Sequence, residues 1–125
     1  MKYKRNEPFR YEFWMPVRVN FYISRINGKT TASSEGEGRV LDISPSGLRM
    51  QTSLDIPSNQ DVELTMHMTI GSREIALIGN IVWQKKVFPS FQYGVEMISD
   101  AFEDQIIYAL KEFQKQHRSN NGNDK

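Results

Sequence analysis

The chain has 125 residues, the length of one domain and too few for two cores. A hydrophobic share of 38% beside a charged share of 25% is ordinary for a soluble globular protein and excludes disorder of the whole chain. Sixteen basic against fifteen acidic side chains leave a net charge of +1, so no overall field draws the protein onto nucleic acid or an anionic surface, and any anion site must be local. Cysteine is absent, which removes disulfides, thiolate nucleophiles and Cys-based metal sites and fits a reducing cytoplasm.

Residues 1–10 read as a basic arm carrying Lys2, Lys4, Arg5 and Arg10, with no apolar segment of a secretion signal behind them. A run of some eighteen apolar residues occurs nowhere, so no membrane insertion is expected and the expected location is cytoplasmic. After Pro16, Val17, Val19, Phe21 and Ile23 alternate with polar residues in the period of a half-buried strand, and Asn27-Gly28 signals a hairpin turn. Thr30 to Gly38 is small, polar and glycine-bearing, the composition of a loose loop or a frayed edge, before a strand through Arg39, Val40 and Leu41. That strand runs into Asp42-Ile43-Ser44-Pro45-Ser46-Gly47, and Leu48 and Met50 mark the strand beyond it.

Val62, Leu64, Met66, Met68 and Ile70 make the cleanest alternation in the chain. After Gly71-Ser72 a strand from Glu74 to Gln84 places Ile75, Leu77, Ile81 and Trp83 on one face, with Gly79 as a candidate bulge. Lys85 to Ser90 reads as a loop, and Phe91, Tyr93, Val95 and Met97 as the last strand. The period then changes: Phe102, Ile106, Leu110 and Phe113 recur at helical spacing behind a capping box of Asp100 and Glu103. The Asn-, Ser- and Gly-bearing tail, 118–125, has no apolar anchor and is expected to be disordered, which leaves 11–117 as the folded domain. The expected fold is all-β with one C-terminal helix: a small six-stranded antiparallel barrel of the split-barrel type, the helix covering one opening.

No enzyme's working set is present. Metalloprotease H-E-x-x-H, phosphate-binding Walker and G-x-S-x-G patterns are all missing, and Gly36-x-Gly38 lacks the third glycine of a dinucleotide fingerprint. His67 and His117 read as solvated surface side chains; no catalytic residue, metal or cofactor is expected. The informative segment is Asp42 to Gly47, a D-x-S-x-x-G pattern where one strand reverses into the next. Asp, Ser, Pro and Gly are also what any tight turn prefers. Its surroundings decide between the two readings.

Those surroundings resemble the PilZ domain family from about Lys4 to Phe113. A basic cluster ending in Arg10 precedes the first strand, Val40-Leu41-Asp42-Ile43-Ser44 and Gly47-Leu48 follow a hairpin, Gly79 to Trp83 is similar to the family's G-x-V-x-W strand, and Tyr93-Gly94-Val95-Glu96-Met97 to its Y-G-V-x-F segment. The resemblance implies a six-stranded barrel, not an enzyme, that binds the bacterial second messenger cyclic di-GMP through R-x-x-x-R and D/N-x-S-x-x-G motifs. The ligand-binding residues it implies are Arg5, Arg10, Asp42, Ser44 and Gly47. The arginine motif departs from the pattern: four residues separate Arg5 from Arg10, giving R-x-x-x-x-R, and Asn6 stands where the family places its first arginine.

The residue types suit a ligand with two phosphates and two guanines. A guanidinium pairs with phosphate or with guanine O6 and N7 and stacks on a purine face. Ionised Asp42 accepts from N1 and N2 donors, Ser44 donates and accepts, and Gly47 admits close approach of the backbone or a torsion closed to other residues. Trp83 and Tyr93 read as core or barrel-wall aromatics and Gly94 as a strand feature. The expected role is a receptor whose arm orders over cyclic di-GMP and alters a surface seen by a protein partner in motility, pilus, biofilm or exopolysaccharide machinery. Asn6 motivates an alternative, an adaptor of the same fold that no longer binds nucleotide. DNA or RNA binding is opposed by the near-neutral charge.

Overall fold

The computed structural model describes residues 10–57 and 59–122, with side chains in the final helix described through Gln116. Seven strands follow in chain order: β1 (Tyr11–Ile26), β2 (Lys29–Thr30), β3 (Gly36–Ser44), β4 (Gly47–Thr52), β5 (Val62–Ile70), β6 (Arg73–Val87) and β7 (Ser90–Met97). A 3-10 turn, Asp100–Phe102, leads into the helix α1, Glu103–Gly122. The sheet order is β2-β1-β3-β4-β7-β6-β5, and β1 also pairs with β5. Six strands therefore close into an antiparallel barrel. The two-residue β2 is a flap on the end of β1, formed by the Asn27-Gly28 turn, whose φ values of 52° and 82° are those a tight hairpin demands.

Alternation places the core. Val62, Leu64, Met66, Met68 and Ile70 of β5 all point inward and are buried, as are Val19 and Phe21 of β1 and Tyr93, Val95 and Met97 of β7. Along α1, Ile106, Ala109 and Leu110 are buried against the barrel and Phe113 packs on Tyr11 and Phe13, with ring centroids 5.6 and 5.9 Å apart. Arg73 of β6 ties down the helix's outer face through Glu112 at 3.0 Å.

Several local expectations are corrected. Gly79 is in register, opposite Leu64 and Met97; its Cβ would lie 2.7 Å from the Glu96 carbonyl, so close strand approach explains the glycine. The bulge falls at Val82, between Ile81 and Trp83, and turns Trp83 from the inner face to the outer. Lys85 to Ser90 is not a loop. Ladder pairing continues to Val87↔Ser90, with only Phe88 and Pro89 at the tip, joined by a cis peptide bond. The helical entrance is capped by Ser99, whose hydroxyl accepts from the Ala101 amide at 3.1 Å, one residue ahead of the expected Asp100 box. Helical backbone runs to Gly122, past Arg118 where the sequence pattern begins the tail; residues 123–125 lie outside the described residues.

Candidate functional site

The β3–β4 hairpin is built by a two-residue turn, Pro45-Ser46, between Ser44 and Gly47. Counting back along both strands sets Ile43 opposite Leu48 and Asp42 opposite Arg49. Ile43 and Leu48 point into the core, so Asp42 and Arg49 share the outer face. The ladders extend this row across the barrel wall: Glu12 pairs with Asp42, Arg49 with Gly94 and Gly94 with Trp83.

Asp42 is buried although it lies on the outer face, because two arginines cover it. Arg10, at the mouth of the N-terminal arm, donates from one terminal nitrogen to Asp42 Oδ1 at 2.5 Å. Arg49 donates from Nε to Oδ2 at 3.0 Å, and its terminal nitrogen lies 3.0 Å from the same oxygen. The carboxylate thus has one oxygen for each guanidinium, a charge-assisted arrangement that meets the desolvation cost of a buried acid. The guanidinium side chains remain 53% and 36% exposed, so their other donors face solvent. Arg49 is also 3.9 Å from Glu12.

Ser44 and Gly47 are less available than the residue types suggest. Ser44 is buried, and its hydroxyl donates to the Gly47 carbonyl at 3.3 Å, closing the turn. Gly47 does not use a left-handed torsion; among described glycines only Gly28 and Gly71 have positive φ. Its Cβ would come within 2.7 Å of the Val95 carbonyl, so β7 pressing against the hairpin excludes a side chain. The amide of Met97 completes that contact by donating to the Ser46 carbonyl at 2.8 Å.

Gly94 has the same logic on the outer face. Trp83 lies flat in the space a Cβ would occupy, its indole nitrogen 2.1 Å from the hypothetical atom, and the ring is 43% exposed. Trp83 is therefore an outer-wall aromatic lying over β7, the strand between it and Arg49, whereas Tyr93, the residue before Gly94, points inward and is wholly buried. The Tyr93 hydroxyl donates to the Leu54 carbonyl at 2.7 Å and accepts from the Ile56 amide and Gln84 Nε2 at 2.7 and 3.0 Å, holding the β4–β5 loop on the barrel.

A groove borders the Asp42–Arg49 pair. Between Glu12↔Asp42 and Val17↔Val40, the β1 residues Phe13 to Pro16 stand against Leu41 alone, so β1 bulges outward with Pro16 where no ladder amide is needed. Phe13 turns into the core while Trp14, 91% exposed, overhangs a groove floored by Arg49, Gln51 and Gln92. Beyond it, Glu37 accepts from Arg18 at 2.7 Å and Arg39 at 3.2 Å; these hydrogen bonds, Arg18's first, hold its carboxyl below the usual range.

Of the residues singled out in the sequence, the fold brings Arg10 to Asp42 and keeps Ser44 and Gly47 in the adjoining turn; Arg5 and Asn6 lie outside the described residues. Arg49 was missed, although the signal was available: in a two-residue hairpin from Ser44 to Gly47, Asp42 must face Arg49. His67 is exposed, and among the described residues no cluster of His, Asp or Glu could hold a metal ion.

No curated protein matches the sequence. The family model described as PilZ domain matches residues 3–112, the barrel with the first half of its closing helix. The chain therefore belongs to the PilZ domain family, a family of cyclic di-GMP receptors.

Proposed function

We propose that this protein is a cyclic di-GMP receptor in which Asp42 positions the Arg10 and Arg49 guanidiniums and the guanidiniums grip the ligand. The observation that carries this reading is the buried Asp42 carboxylate bracketed by two half-exposed arginines. Such a clamp presents planar cationic forks whose free donors match phosphate oxygens or guanine O6 and N7, and whose faces can stack on a purine. Because both carboxylate oxygens are already engaged, Asp42 acts chiefly through the arginines; contact with guanine N1 and N2 requires Arg10 to swing away to a phosphate. Ser44 and Gly47 keep the hairpin closed so that the row stays in register. Trp83 offers an exposed aromatic face along the same row.

Arg5 and the arm ahead of Arg10 close over the nucleotide, and that ordering alters the surface offered to a protein partner. A micromolar dissociation constant corresponds to about 8 kcal/mol, within reach of a few charge-assisted bonds plus stacking after the ordering cost. Calorimetry with cyclic di-GMP, and with cyclic di-AMP and GTP as controls, tests the reading. Binding of cyclic di-GMP alone, weakened at least tenfold by Arg49→Ala and by Arg10→Ala, is expected. No heat at high ligand concentration, or affinities unchanged in both variants, would overturn it.

A further inference from the structure

The β6–β7 hairpin projects beyond the barrel wall. The β5 ladder leaves β6 at Asn80 and the β4 ladder leaves β7 at Phe91, so the pair Val87↔Ser90 and the Phe88-Pro89 tip stand past both neighbouring strands. This projection is apolar at its apex and cationic beneath. Phe88 is 94% exposed, Val87 and Val82 are also exposed, and Lys85 and Lys86 lie in solvent just behind the tip. From Ile81 to Val95 there is no Asp or Glu. Asp55 meets the hairpin only at its base, where it accepts from Gln84 at 3.0 Å.

We propose that this hairpin tip docks the protein peripherally on an anionic lipid surface, with Phe88 entering the headgroup layer and Lys85 and Lys86 against the lipid charges. Three observations favour a bilayer over a protein. The tip is convex, and a bilayer receives a convex apolar apex without a preformed pocket. The cations are local in a chain of net charge +1, so the hairpin and not the whole surface supplies the attraction. The lysines sit on the β6 stretch that β5 leaves unpaired, where they oppose strand addition by a second copy. Their long stems let the ammonium groups reach phosphates while Phe88 is immersed. Nothing in this rests on the nucleotide site, which occupies a different stretch of the wall.

The test is flotation of the full chain with vesicles of phosphatidylcholine alone and of phosphatidylcholine mixed with phosphatidylglycerol. Binding is expected only to the anionic vesicles and falls as salt rises. Phe88→Ser lowers the partition coefficient about tenfold. The pair Lys85→Gln and Lys86→Gln lowers it about twenty-five-fold, each lysine near an anionic surface being worth about fivefold. All variants keep the wild-type melting temperature, since these side chains contribute nothing to the core. Absence of flotation, flotation indifferent to Phe88→Ser, or Phe88-dependent self-association without lipid would each overturn the proposal, the last by assigning the tip to a second copy.

Discussion

Removing either arginine of the Asp42 clamp tests how a buried carboxylate is held on the outside of a barrel. The perturbation is a pair of double-mutant cycles, Asp42→Ala with Arg49→Met and Asp42→Ala with Arg10→Met, methionine keeping part of the apolar stem. Arg49 donates from Nε to Oδ2 at 3.0 Å and holds a terminal nitrogen 3.0 Å from the same oxygen, from a side chain 36% exposed; Arg10 donates to Oδ1 from a side chain 53% exposed and lies at the edge of the arm. A hydrogen bond to a charged group contributes about 1.5 to 3 kcal/mol when sheltered, and solvent screening lowers that for exposed partners. The expected coupling is therefore about 1 to 2 kcal/mol for Asp42–Arg49 and under about 1 kcal/mol for Asp42–Arg10. Urea unfolding followed by tryptophan fluorescence measures both, as shifts in midpoint at constant slope. An Arg10 coupling equal to or larger than that of Arg49, or two couplings indistinguishable from zero, would refute the assignment of Arg49 as the main support of the carboxylate. The cycles separate stability from ligand binding, because Arg10→Met is expected to leave the fold nearly intact while weakening nucleotide affinity.

Tyr93→Phe strips three hydrogen bonds from a fully buried hydroxyl and leaves the Ile56 amide and the Leu54 carbonyl to find other partners, so it is expected to cost about 2 to 3 kcal/mol in urea and to raise amide exchange in the β4–β5 loop. Gly47→Ala forces a methyl to within 2.7 Å of the Val95 carbonyl, and strand separation is expected to lower stability by about 1 to 3 kcal/mol; a midpoint at the wild-type value would show that the hairpin yields freely. Glu37 titrates below an unperturbed glutamate because Arg18 and then Arg39 hydrogen-bond its ionised form. Its contribution to stability is thus present above the unfolded pKa and is lost as pH falls through the depressed folded value. A carboxyl NMR titration reads this directly, and Arg18→Gln is expected to move the midpoint upward; an unmoved midpoint would remove Arg18 as the cause.

Sequence alone determined the elements whose side-chain period is unambiguous. The β5 alternation from Val62 to Ile70 and the α1 stripe of Ile106, Leu110 and Phe113 could bury their apolar faces only as strand and helix. The Asn27-Gly28 turn was equally legible, since few residue pairs accept positive φ twice. Of the candidate site, Asp42 and Arg10 were singled out by the family resemblance, and the structure brings these two side chains together. The clamp was decided by pairing. Arg49 meets Asp42 only once the Ser44–Gly47 turn sets it across the hairpin, and Arg10 only once β1 lies beside β3. Trp83 followed the strand period on paper, but the bulge at Val82 moved it to the outer wall, because one extra residue reverses every side chain after it. A period of two assigns residues to faces only while the ladder stays in register, and where it slips, only contacts between strands distant in sequence decide which face a side chain occupies.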